Sequence, residues 1–352
     1  MTRERIIEMA RQFPENGMKL LLQQPDNTRE LLALAQAPLL DRIDFDHMVV
    51  DPTTYVSADF RHVSSDLVLR VPLRPERGHR RRRFLSLTIL IEHQSVPDRL
   101  MILRVLDYLV QIWKAQVRAW GVEHGSLANV HLQPILPVVF YTGLHRWEQL
   151  GGLLDLMVEA SAFRSLTPEF QPLFVNLPQT PAAELAAVGS FGQVLQLVQA
   201  RKTAARRFSQ QLQQVVGSLE TMQTNDRLRW QDLLSYLQAL VYHDRAASEH
   251  EGLTQCIVAS ARTDEDREEL NMARRSMADV VRAEGEQRGE QRGELRARQQ
   301  MLLVQLRERY KRLPAAVEQT VETTSDPARL DEWIKKFATA ESLDAIGILP
   351  GD

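Results

Sequence analysis

The sequence predicts a mixed α/β core followed by an all-helical C-terminal half. Three observations carry that expectation. DLVLRVPL (66–73) and FLSLTILIEHQ (84–94) both read as strands, with a short arginine-rich link between them. A long helical run then leads to ILPVVFYTG (135–143), a nearly continuous apolar stretch that suits a strand buried on both faces. From about residue 182 the texture changes: residues 182–280 are rich in Ala, Leu, Gln and Arg and contain no proline.

Taken in order, residues 5–36 show helical periodicity interrupted at Pro14 and Pro25. DFDHMVVDPTTYV (44–56) alternates weakly and ends in turn residues. The strands 66–73 and 84–94 form a hairpin, because Pro75 and Gly78 suit the loop between them. After Ser95-Val96-Pro97-Asp98, the run 98–121 places Met101, Val105, Leu109 and Ile112 at helical spacing, and Gly121 marks its stop. PLFVNLP (172–178) is a further short strand. The expected domains are 1–181, a helical region 182–280, and 281–352.

The last segment opens with EGEQRGEQRGELRARQQ (284–300), in which Gly285, Gly289 and Gly293 recur every four residues with matching Glu and Arg stripes. An interior helical glycine costs about 1 kcal/mol against alanine. The stripe is therefore either a close helix–helix seam, as in a homo-oligomer joined through the C-terminal helices, or a solvated linker helix. Three short helices are expected beyond it, and Asp326-Pro327 supplies one helix start.

Composition excludes several classes. The 44% apolar and 25% charged fractions are those of ordinary globular protein. No window approaches the roughly 18 uninterrupted apolar residues of a membrane span, and the N-terminal residues read as an amphipathic helix and not as a signal peptide. The single cysteine, Cys256, excludes an internal disulfide and a cysteine-rich zinc site. The expected location is cytoplasmic. The net charge of −3 does not advertise nucleic-acid binding, but RVPLRPERGHRRRR (70–83) holds seven arginines against one acid. Such a patch can attract phosphate or can simply be a solvated turn.

The strand ending in Glu92-His93-Gln94 carries the chemistry. Strand side chains alternate, so Thr88, Leu90, Glu92 and Gln94 share one face and Ile89, Ile91 and His93 the other. A buried carboxylate needs a partner or an opening to solvent. In the hairpin, Asp66 at the start of one strand meets Glu92 at the end of the other. Two carboxylates together repel unless a cation or proton lies between them, and such hard oxygen donors suit Mg²⁺ or Mn²⁺. A salt bridge at Glu92 is the plainer alternative. His47, His62 and His79 show no metal-ligand spacing.

ILIEHQSVPDRLMILRVLDY, preceded by SSDLVLRVPL and followed by ILPVVFYTGLHRW, resembles the bacterial recombination-promoting nuclease, transposase-like family of the PD-(D/E)XK nuclease superfamily. Asp66, Ile91 through Ser95, Pro97-Asp98, Met101, Arg104, Tyr108, Leu136-Pro137, Tyr141 and Gly143 fill the family's pattern over roughly residues 14–180. GEQRGEQRGE and the helices after it also look like the C-terminal extension of such proteins. The resemblance implies a restriction-endonuclease-like mixed sheet flanked by helices. It also implies metal-dependent cleavage of DNA, with catalytic Asp66 and Glu92 as metal ligands. The superfamily's lysine position falls on Gln94, which can orient a water but cannot take its proton. Glu15 is the candidate for an added acid from an early helix, and Arg74, Arg77, Arg80, Arg81, Arg82 and Arg83 are candidates for phosphate contact. The expectation is a DNA endonuclease using Mg²⁺ or Mn²⁺, linked to recombination or mobile elements. A catalytically inactive DNA-binding or scaffold protein with the same fold is the alternative.

Overall fold

Apolar alternation in 66–73 and 85–94 pairs two strands into the hairpin around which the sheet is built. The structure is a computed structural model and describes residues 3–11, 13–51, 66–74 and 85–348. Strands β1 (Val49–Val50), β2 (Asp66–Leu73) and β3 (Leu85–Gln94) are antiparallel neighbours. β4 (Ile135–Tyr141) and β5 (Leu173–Asn176) extend the sheet in parallel, giving the order β1-β2-β3-β4-β5. This is the mixed sheet with flanking helices that the sequence predicts.

Each face of the sheet has its own cover. Leu67, Leu69, Ile89, Ile91, Val138 and Phe140 pack into the large core. Its other side comes from α1 (Arg3–Ala10), α2 (Glu15–Leu22) and α3 (Pro25–Leu34), and from the later helices. Val139 and Tyr141 face the opposite way, onto Met101, Val105 and Leu109 of α4 (Met101–His124). The continuous apolar run of β4 follows from burial on both faces.

The helix α4 does not stop at Gly121. It continues to His124, and Gly125, with φ of 67°, ends it by donating its N–H to the Gly121 carbonyl. A left-handed residue at that point is what a glycine supplies without strain. The helix thus gains one more turn, which stacks the His124 ring on Trp120.

A short α5 (Ala160–Phe163) precedes β5, and the chain then turns helical: α6 (Ala182–Val188), α7 (Ser190–Ala200), α8 (Ala205–Ser218), α9 (Met222–Asn225), α10 (Arg227–Asp244) and α11 (Ala247–Ala259). These close over the core that the sheet and α1–α3 begin. Almost every side of α10 is covered: Trp230, Leu233, Leu234, Tyr236 and Leu237 are all fully buried. A helix buried on nearly every side lies at the centre of a core, and its buried polar residues then need partners. Its polar residues are tied. Arg229 pairs with Glu30 at 2.5 Å, and Glu30 also accepts the N–H groups of Phe191 (2.8 Å) and Gly192 (3.1 Å) near the N-terminus of α7.

The chain divides into two units, Met1–Val280 and Val281–Asp352. The 47-residue helix α12 (Asp264–Tyr310) contributes Leu270, Ala273 and Met277 to the first core, and Leu302, Leu303 and Leu306 to the second. In the second unit, α13 (Ala315–Thr323) and α14 (Pro327–Thr339) complete a small core with Val317, Val321, Leu330 and Trp333. Two separate helices therefore follow the glycine repeat where three were expected: 301–310 is the end of α12. Its run of good helix formers, QQMLLVQLRER, carries the helix on past the glycines. A Cβ added at Gly285, Gly289 or Gly293 would meet no atom within 4 Å among the described residues. Among the described residues the glycine stripe makes no close contact within the chain.

Asp326 caps α14 as its sequence suggests, accepting the Ala328 N–H at 2.9 Å. Asp326→Ala is expected to cost about 1 kcal/mol of local stability. Hydrogen exchange of the 327–339 amides should accelerate about fivefold; unchanged exchange would mean the cap contributes nothing. No helix among the described residues is long and apolar enough to cross a membrane.

Candidate active site

The end of β3 gathers buried polar side chains. In the antiparallel ladder Asp66 stands directly opposite Glu92, as Leu67 stands opposite Ile91. Asp66 is described through its backbone alone. Glu92 is fully buried, and Gln94 and Arg104 are nearly so. Gln94 Nε2 donates to Glu92 Oε1 at 2.9 Å, which the two-residue spacing on one face of a strand allows. Arg104, on α4, donates through Nη1 to the same Glu92 oxygen at 3.3 Å and through Nη2 to Asp98. Asp98 also accepts the Leu100 N–H at 2.8 Å, so it shapes the turn that starts α4. Desolvation of a carboxylate and a guanidinium is expensive, and here each offsets the other's burial.

His93 turns to the other face. Its Nε2 lies 2.8 Å from Thr142 Oγ1, and its ring packs 5.7 Å from Phe140. Burial, with the positive charge of Arg201 adding to it, lowers its pKa to about 3. It is neutral at neutral pH and is not poised to exchange protons there. The strand ends are clamped together: Thr142 N–H donates to the Gln94 carbonyl at 2.9 Å. Gly143 leaves no room, because a Cβ there would lie 2.2 Å from the Ser95 carbonyl oxygen.

The remaining candidates are placed as follows. Glu15 opens α2 and accepts a hydrogen bond from Ser95 Oγ at 2.8 Å, one residue beyond the strand. Arg74 is exposed and paired with Asp44 at 3.3 Å. Arg77, Arg80, Arg81, Arg82 and Arg83 lie outside the described residues. Among the described residues no three His, Cys, Asp or Glu side chains are grouped closely enough to hold a metal ion. The donors at the strand end are nonetheless of the right chemistry for a hard divalent cation. Glu92 is an anionic oxygen donor held still by two hydrogen bonds, and Asp66 opposes it in the ladder.

Sequence reasoning placed Asp98 and Arg104 in the family pattern but gave neither a role. A signal was present. Arg104 falls between Met101, Val105 and Tyr108 on the apolar stripe of α4, and a cation on a buried stripe requires an anionic partner.

A family model described as "Putative transposase, YhgA-like" matches residues 15–229. The chain belongs to this family. The match runs from α2 through the sheet and into α10, so this family's pattern extends past the sheet into helices of the same core. The recombination-promoting nuclease RpnA of Escherichia coli (strain K12) is 26% identical over 127 residues, which are 36% of this chain and 38% of that protein. The chain thus matches under two fifths of that relative's length. No solved structure matches significantly.

Proposed function

We propose that this YhgA-like family member is a metal-dependent DNA endonuclease that hydrolyses phosphodiester bonds in recombination or mobile-element processes. The observation that carries the reading is the pairing of Asp66 with Glu92 across β2 and β3, at the strand end where Gln94 and Arg104 also converge. The name of the relative RpnA supports nuclease chemistry. Asp66 and Glu92 would hold Mg²⁺ or Mn²⁺, with Glu15 as a further acid near the strand end. When bound, such an ion neutralises phosphate charge and acidifies water.

The chain's own residues do the positioning. Gln94 donates one of its two amide N–H groups to Glu92. Its carbonyl could accept a hydrogen bond from a water and so orient it, but it cannot take the proton. Without a lysine at position 94 the chain offers no ammonium there to stabilise developing charge, so cleavage is expected to be slow. Arginines of 74–83 would hold the DNA backbone, a contact that positions without reading sequence.

The catalytically inactive DNA-binding or scaffold reading is favoured by one observation. The Glu92 charge is already met inside the protein by Arg104. Incubation of supercoiled plasmid with the full chain in Mg²⁺, Mn²⁺ or EDTA separates the two. Nicking that appears with metal and disappears with EDTA supports the nuclease. DNA retardation on a gel without any metal-dependent nicking favours the scaffold.

A further inference from the structure

We infer that Arg104 is the resident counter-ion of Glu92 and that, with Asp98 as its second anchor, it sets how tightly the site takes a divalent cation. The inference rests on the metal-dependent reading above. The Arg104 side chain is only 3% exposed, a setting in which a guanidinium must be paired. It has two carboxylates, Glu92 through Nη1 and Asp98 through Nη2. The planar fork of arginine can hold two anions at once, which an ammonium on a flexible stem does less well.

The Glu92 oxygen that faces Arg104 is also the one that accepts from Gln94. A cation drawn to this carboxylate would therefore approach a fixed positive charge. Two cations on one buried carboxylate repel strongly, because little solvent lies between them. Asp98 moderates that repulsion. It is the more open partner, with its side chain 29% exposed against 0% for Glu92. By holding one end of the guanidinium it leaves Glu92 only part of the positive charge. Arg104 is thus a positioning residue: it keeps Glu92 ordered while no metal is bound and lowers the affinity for metal.

A purely structural salt bridge would move stability alone. The role inferred here also moves cation affinity, and in opposite directions for the two anchoring changes. The test titrates Mn²⁺ alone into the full chain, reads free ion by electron paramagnetic resonance, and records thermal midpoints without metal. Arg104→Gln is expected to bind Mn²⁺ about tenfold more tightly than wild type while melting at a lower temperature. Arg104→Lys, which keeps the charge, should stay within about threefold of wild type. Asp98→Asn should bind several-fold more weakly, since the guanidinium then rests on Glu92 alone.

A folded Arg104→Gln protein that binds Mn²⁺ no more tightly than wild type overturns the inference. If that variant does not fold, Asp98→Asn decides, and unchanged or tighter binding there overturns it. Glu92→Gln is the control for the underlying reading. Equal Mn²⁺ uptake by wild type and Glu92→Gln removes the metal site itself, and the inference with it. Loss of uptake in Glu92→Gln beside unchanged uptake in Arg104→Gln removes only the role given to Arg104.

Discussion

Glu92→Gln is expected to reduce metal-dependent plasmid nicking by about a hundredfold to a thousandfold and to leave the protein folded. The two halves of that expectation have separate causes. Glutamine keeps the shape of glutamate and an acceptor oxygen, so the bonds from Gln94 and Arg104 can persist. Arg104 also retains Asp98, which spares it the isolation that makes a broken buried pair so costly. What disappears is the anionic oxygen that a hard cation requires. Asp66→Ala should lose nicking to a similar degree, given its place opposite Glu92 in the ladder. The measurement is nicking rate at fixed Mn²⁺ beside far-ultraviolet circular dichroism. Wild-type rates from either folded variant would remove these residues from the reaction.

The hairpin was legible in the sequence for a physical reason. A strand that begins with Asp66 and a strand that ends with Glu92-His93-Gln94, close in sequence, can pair in few registers without exposing apolar residues. The observed register, Asp66 opposite Glu92 and Leu73 opposite Leu85, is one of those few. The alternation also sends His93 toward Thr142 and Gln94 toward Glu92. Other features depend on contacts that local pattern does not encode. The end of α4 is decided between Gly121 and Gly125 by which one takes a positive φ, and both residues look alike in sequence. The helix α12 runs unbroken through three glycines whose local preference opposes it, because apolar residues on both sides pack into cores. Arg104 gains its meaning only when β3 and α4 come together.

Gly143→Ala is the test of how firmly the strand ends set that site. A Cβ at this position would stand 2.2 Å from the Ser95 carbonyl oxygen and 2.3 Å from the Tyr141 hydroxyl. Neither neighbour can retreat freely. Ser95 follows Gln94, whose carbonyl accepts the Thr142 N–H at 2.9 Å, and the Tyr141 hydroxyl donates to the His145 carbonyl at 2.6 Å. Relief must therefore come from moving the backbone at the end of β3, which carries Glu92 and Gln94. Overpacking of this kind costs roughly 1–3 kcal/mol, or about 2–4 °C of melting temperature per kcal/mol in a domain of this size. Nicking should fall further than stability explains, by about tenfold or more, because small displacements of positioned groups are costly to catalysis. Thermal scans and nicking rates on the same preparation check both effects. An alanine variant that melts and nicks like wild type would show that the close approach of Gly143 to Ser95 does not hold the site. A variant that melts lower but nicks at the wild-type rate would separate the strand clamp from the chemistry, and would leave the position of Glu92 to Arg104 and Gln94.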